Sequence, residues 1–200
     1  MFKNLHSRGL RTLFLCLIVF VFGSGKLLAQ NRALDLPGAD NSVDISYALN
    51  SGGYTVETWI YIYSTGISHG VFSKTSDHLA NPLDVYVGTD MKVKMWMGDG
   101  STTNESVSIT TLNQYQWYHI AVSYDPGSTG TEGKLYINGI EEATQNVTVF
   151  NNTVDPMTIG DRGDDGTNAD ARFDDFRVWR DVRTPAEILN NFRSELIGNE

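Results

Sequence analysis

The stretch Gln116–Glu142 reads QWYHIAVSYDPGSTGTEGKLYINGIEE. From Trp117 to Tyr124 it alternates with period two. Tyr118, Ile120, Val122 and Tyr124 fall on one face, and Trp117, His119, Ala121 and Ser123 on the other, which is strand periodicity. Asp125-Pro126-Gly127 breaks the pattern, and the Ser/Thr/Gly-rich run to Gly133 predicts a mobile loop. Lys134–Ile137 predicts a second strand. Asn138-Gly139 accepts positive φ at both central positions of a tight turn, so a third strand from Ile140 folds back on the second. This is an antiparallel meander. It contains no phosphate-binding loop and no nucleophile, so function is to be sought at the loops and edges of a sheet.

Working outward, the strongest further strand is Tyr54–Tyr63 (YTVETWIYIY), apolar or aromatic on both faces as befits a strand covered on both sides. Shorter strands are expected at 33–36, 43–45, 70–74, 83–87, 91–97, 107–111, 144–150, 157–160 and 172–179. Thr184-Pro185-Ala186-Glu187 combines a capping box with proline at the first helical position, and Ile188, Leu189 and Phe192 supply an apolar stripe. About a dozen short strands and one short C-terminal helix imply an all-β, two-sheet antiparallel jelly-roll sandwich.

The N-terminus reads differently. Lys3, Arg8 and Arg11 precede the apolar run Leu13–Phe22, and Ala29 offers a small residue for cleavage. The run is about half the ~20 residues that span a bilayer, so residues 1–29 read as a secretory signal peptide and 30–200 as one domain, secreted or at the cell surface. Cleavage removes four cations and no acid, taking the formal charge from −9 to −13. Such a chain repels phosphate backbones, which disfavours nucleic acid as a partner, and it suits a hard cation with oxygen ligands. The one cysteine, Cys16, leaves with the leader, so the remaining chain has neither disulfide nor thiol chemistry.

Ala33–Ile45 (ALDLPGADNSVDI), Tyr54–Ile62, Gln116–Asp125, Gly133–Glu141, Met157–Asp161 (MTIGD) and Arg172–Ile188 (RFDDFRVWRDVRTPAEI) occur in an order that resembles the laminin G-like, concanavalin A-like jelly-roll superfamily in its bacterial extracellular form. The resemblance covers nearly all of residues 30–200. It implies two curved sheets packed face to face, and a binding rather than catalytic role, often for glycans or proteins and often beside calcium. It also brings the first and last strands together.

On that placement Asp174, sharing strand parity with Phe176 and Val178, points inward and needs a partner. Asp40, Asn41 and the Gly38 carbonyl are the expected co-ligands of a structural calcium, although Pro37 stands where relatives often carry another acid. The competing reading has Asp174 capping backbone amides or pairing with Arg172 or Arg177.

The acidic loop Asp161–Asp170 lacks an EF-hand pattern, since Gly163 occupies its third position. It is expected at the rim, with Asp161, Asp164 and Asp165 as ligand contacts. Arg162-Gly163-Asp164 is a tripeptide common by chance and carries no argument. For glycan stacking, Trp96 shares a face with Lys92 and Lys94 and is the chosen platform; Tyr61, Tyr63 and Tyr86 are further options. Trp59 and Trp117 are expected between the sheets, and Trp179 against the terminal helix. The Glu-x-Asp-x-x-Glu strand of related glucanases is absent, and Glu57 stands alone. The expected function is therefore a non-catalytic binding or adhesion module for extracellular carbohydrate or a surface protein. The alternatives are a glycoside hydrolase or lyase of the same superfamily, or a structural spacer.

Overall fold

The computed structural model describes residues 33–38, 41–49, 51–74, 83–97, 105–147, 156–162 and 167–194. Residues 1–29, Asp40, Asp164 and Asp165 lie outside them. Twelve strands are seen: β1 Leu34–Pro37, β2 Val43–Ile45, β3 Tyr54–Ile62, β4 His69–Lys74, β5 Leu83–Val87, β6 Lys92–Trp96, β7 Glu105–Thr111, β8 Trp117–Tyr124, β9 Gly133–Ile137, β10 Ile140–Gln145, β11 Met157–Ile159 and β12 Asp170–Trp179. One helix, α1, spans Pro185–Asn191.

All pairings are antiparallel. The first sheet runs β1-β12-β3-β8-β9-β10 and the second β2-β11-β4-β5-β6-β7, giving the expected jelly-roll sandwich. Among the described residues no helix is long and apolar enough to cross a membrane.

The core is the sum of the inward alternations. Val56, Ile60 and Ile62 of β3 and Ile120 and Val122 of β8 meet Val85, Val93 and Met95 of the second sheet, all essentially without solvent contact. The meander forms as its sequence requires. Asn138 and Gly139 hold φ of 51° and 79°, the double left-handed turn that matches strand twist.

The loop after β8 departs from expectation. Asp125 accepts the Gly127 N–H (2.9 Å) and the Ser128 hydroxyl (2.6 Å), while Glu132 accepts the N–H groups of Gly130 (2.8 Å) and Val147 (2.9 Å). These bonds pin a segment whose Gly and Ser content alone suggested mobility, and both carboxyls are held below their usual range by them. Two other boundaries also differ. Met91 sits at φ 59° in the β5–β6 turn rather than in β6. β10 ends at Gln145, and residues 148–150 of the expected extension lie outside the described residues.

Strand β12 carries a bulge. Its pairing with β3 slips between Asp174 and Arg177, and Asp175 sits at φ 48°. Ala171 and Phe173 point inward before the bulge, and Phe176 and Val178 pack on the core after it. The parity that would have carried Asp174 inward with Phe176 is therefore broken.

α1 packs on the outer face of the first sheet. Thr184 caps it as expected, its side chain and that of Glu187 exchanging hydrogen bonds with each other's backbone N–H. Ile188 packs on Ala121 and Tyr136, and Phe192 stacks on Trp59 with ring centroids 5.6 Å apart. Leu189, expected in the same stripe, is about half exposed.

Beneath the helix lies a buried polar cluster. Glu57 accepts from the Trp179 indole (3.0 Å) and pairs with His119 Nε2 (3.3 Å) and Arg177 Nη1 (3.4 Å). The His119 Nε2 faces the Glu57 carboxylate, and among the described residues its buried Nδ1 has no hydrogen-bond partner. Arg177 also donates to the carbonyls of Asn191 (3.4 Å) and Ser194 (2.7 Å), and the Trp59 indole to that of Phe192 (3.0 Å). Burial raises the Glu57 pKa, but its hydrogen bonds and neighbouring cations outweigh that, and the net shift is downward.

One sequence expectation is thus corrected. Trp59 and Trp117 are not between the sheets, because their parity on β3 and β8 is that of the outer face.

Candidate functional site

The outer face of the second sheet gathers the polar and aromatic side chains that the core alternation turns outward. Cross-strand register lines up Thr158, Ser73, Asp84, Trp96 and Glu105 across β11-β4-β5-β6-β7. The neighbouring row holds Gly70, Tyr86 and Lys94.

Gly70 decides what covers this face. A Cβ there would lie 2.5 Å from the Asp161 carbonyl carbon and 2.8 Å from the Arg162 nitrogen, so only glycine lets that backbone lie on the sheet. The close approach delivers Arg162. Its Nη2 and Nε sit 3.0 and 3.2 Å from Asp84 Oδ2, and its guanidinium lies 3.8 Å from the centre of the Tyr86 ring and 5.8 Å from that of Trp96. Asp84 is fully buried, so the bond forms in low dielectric, where a charge pair is strong and a lone charge costly.

Glu105, on the far side of Trp96, accepts from the Trp96 indole (2.8 Å) and the Tyr86 hydroxyl and lies 3.4 Å from Lys94. Burial opposes its ionisation, but those bonds prevail and hold its pKa below the usual carboxylate range. Burial and Glu105 together push the Tyr86 hydroxyl up. The result is a partly buried indole fixed between two ion pairs, with carboxylate oxygens and cationic N–H groups around it.

The predicted residues fall out as follows. Trp96 is central. Asp161 borders the site, its carbonyl accepting from the Thr158 hydroxyl (3.2 Å). Asp164 and Asp165 lie outside the described residues.

Of the expected calcium ligands, the described Gly38 and Asp174 lie apart. Gly38 sits beside Ala169, with its N–H 3.2 Å from that carbonyl, and Asn41 donates to the Gly38 carbonyl (3.1 Å). Asp174 lies one residue past the Leu34–Phe173 pair, five positions along the ladder, or roughly 16 Å away at strand rise. Its carboxylate accepts the Asp175 N–H at 2.9 Å. Gly38 and Asp174 therefore do not fit one coordination shell, because the ladder separates them and the bulge turns Asp174 from the core; Asp40 lies outside the described residues. Among the described residues no group of three or more His, Cys, Asp or Glu side chains could hold a metal ion.

Sequence reasoning missed Asp84, Glu105 and Arg162. The available signal was Gly70, a glycine inside an otherwise bulky strand, which marks a close backbone approach.

The fold has many relatives among solved structures. A heptameric SAP-like pentraxin from Limulus polyphemus shares 18% identity at a TM-score of 0.60, covering 78% of each chain. A protein from Bacteroides ovatus described as a candidate carbohydrate-binding protein shares 16% identity at 0.62, over 76% of this chain and 45% of that one. The sialidase of Trypanosoma rangeli shares 11% identity at 0.62, over 78% of this chain and 26% of the enzyme. The chain thus spans about a quarter of the sialidase and under half of the Bacteroides protein. At these identities the likeness is one of fold. No curated protein sequence matches the chain. Residues 37–189 match the family described as the concanavalin A-like lectin/glucanases superfamily. With that match over most of its length and the two-sheet architecture in agreement, the chain belongs to this superfamily.

Proposed function

We propose that the protein is an exported, non-catalytic module that binds carbohydrate on the outer face of the second sheet, with Trp96 as the stacking surface. The observation that carries this reading is the partly buried Trp96 indole, held at its nitrogen by Glu105 and flanked by Arg162, Lys94 and the tyrosine ring of Tyr86. A sugar ring laid on the indole meets acceptors and donors at its edge without rearrangement of the protein. The Bacteroides protein of the same fold, described as a candidate carbohydrate-binding protein, is in keeping with the ligand class.

Asp84 and Glu105 flank Trp96 from two strands, which raises the hydrolytic alternative suggested by the sialidase likeness. A glycosidase needs one of its two carboxyls to keep a proton near neutral pH. Glu105 is shifted the opposite way, and Asp84 is locked to Arg162, so the binding role is favoured.

The test is a glycan array with the wild-type protein and Trp96→Ala, in calcium and in chelator. The expected result is a set of glycans whose binding survives chelation and is lost in the variant. Silence across the array, or binding indifferent to Trp96→Ala, overturns the reading; release of reducing ends from a bound glycan would instead establish the hydrolase.

A further inference from the structure

α1 and Phe192 cover the outer face of the first sheet at Ala121, Tyr136, Trp59 and His119, and aromatic rings lie beyond them. On β3 the outward residue beyond helix-covered Trp59 is Tyr61; on β8 the one beyond His119 is Trp117. Register extends this row across four strands as Asp35, Arg172, Tyr61 and Trp117. Tyr61 is its centre, with ring centroids 5.4 Å from Trp117, 5.7 Å from Tyr63 and 6.3 Å from Tyr115. The rings meet at 49°, 78° and 59°, so none is stacked flat on Tyr61.

Tyr115 is the telling residue. It is 64% exposed, so it contributes little burial, and it sits at φ 60°, a conformation unfavourable for a bulky side chain. Its N–H is nevertheless held by the Ile62 carbonyl (2.9 Å), and Gln114 beside it donates to the Tyr63 carbonyl (2.8 Å). The chain spends backbone strain to hold an aromatic ring in water. Folding gains little from that placement, whereas a ligand would.

We infer that this part of the sheet is a second carbohydrate-binding platform, for neutral oligosaccharides whose equatorially substituted pyranose rings present flat C–H faces. The stacking surface is Tyr61, Trp117 and Tyr115. The polar rim is the Asp35–Arg172 pair, 3.5 Å apart, with the Tyr63 hydroxyl donating to Asp35 (2.8 Å); it offers both acceptors and donors to sugar hydroxyls. Because Asp35 and Arg172 offset each other, the rim favours no ionic ligand. Size argues in the same direction. Three strand spacings by two residues is about 14 Å by 7 Å, on the order of 100 Å². A stable protein partner would need roughly 800 Å², while a sugar chain needs only such a strip. The platform shares with the Trp96 site its class of ligand but no residue, so the protein would hold two sugar chains on opposite faces.

The test is titration calorimetry of the protein with cellohexaose, xylohexaose and mannohexaose, comparing Trp117→Ala, Tyr115→Gly and Trp96→Ala. Glycine accepts the φ of Tyr115, so that variant keeps its fold if Trp117→Ala does not. Expected is binding of at least one hexasaccharide that weakens tenfold or more in both Trp117→Ala and Tyr115→Gly and persists in Trp96→Ala. Binding unchanged in Tyr115→Gly and Trp117→Ala, or binding of none of the three sugars at millimolar concentration, overturns the platform. Loss in Trp96→Ala alone would uphold the first site and reject this one; retention there with array binding unaffected would do the reverse.

Discussion

Replacing Gly70 by alanine should dismantle the Trp96 site without touching any side chain in it. The added Cβ would stand 2.5 Å from the Asp161 carbonyl carbon, 2.7 Å from its Cα and 2.8 Å from the Arg162 nitrogen. Carbon atoms rest at about 3.5–4.0 Å, so the Asp161–Arg162 backbone must retreat by about 1 Å. That carries Arg162 Nη2 from 3.0 Å to about 4 Å from Asp84 Oδ2, the outer limit of an ion pair. Overpacking alone costs about 1–3 kcal/mol. Weakening a pair whose carboxylate is fully buried adds to it, for a total of about 2–4 kcal/mol. In a domain of this size each kcal/mol lowers Tm by about 2–4 °C, so a circular-dichroism melt should show a fall of about 5–15 °C. Gly127→Ala, whose Cβ would meet only the Asp125 carboxylate at 3.2 Å, is the control and should melt near wild type. A Gly70→Ala protein that melts within a degree or two of wild type and keeps its glycan binding would refute the claim that this glycine seats Arg162.

Arg177→Ala leaves Glu57 buried without its guanidinium and frees the Asn191 and Ser194 carbonyls; a loss of about 3–5 kcal/mol and early proteolysis near α1 are expected, and Lys at 177 should not restore the planar fork. Glu57 has a folded pKa below its unfolded value of about 4.3, so its stabilisation is present above that pH and is lost as pH falls through the folded value. Urea titrations should therefore show a steeper acid loss in wild type than in Glu57→Gln. Asp174→Ala should leave Tm equally insensitive to calcium and to chelator, since its carboxylate bonds its neighbour's N–H; a calcium-dependent Tm abolished by that substitution would reinstate a metal there.

Strand positions were legible because period-two alternation is local. Tyr54–Ile62 and Trp117–Tyr124 could be read with their faces already sorted, and the Thr184 capping box gave the helix start. What each outward face meets is not local. Alternation put Trp59 opposite Ile60 but could not say that Phe192 would cover it. The bulge at Asp175 has no signature in RFDDFRVW, and it alone reversed the reading of Asp174. In the site, Trp96 was visible from its lysine neighbours, whereas Arg162 arrives from a loop 66 positions further on through a gap left by a glycine.

The position of β12 between β1 and β3 has a consequence for synthesis. During translation, residues 54–62 emerge more than a hundred residues before their partner at 170–179. Until that partner appears, one edge of a strand rich in valine, isoleucine and aromatics stays open to any passing chain. Pairings this distant in sequence also close slowly. The interval between making β3 and making β12 is therefore when the nascent protein most needs a chaperone, and an export machine that takes unfolded chains would find its substrate still open throughout it.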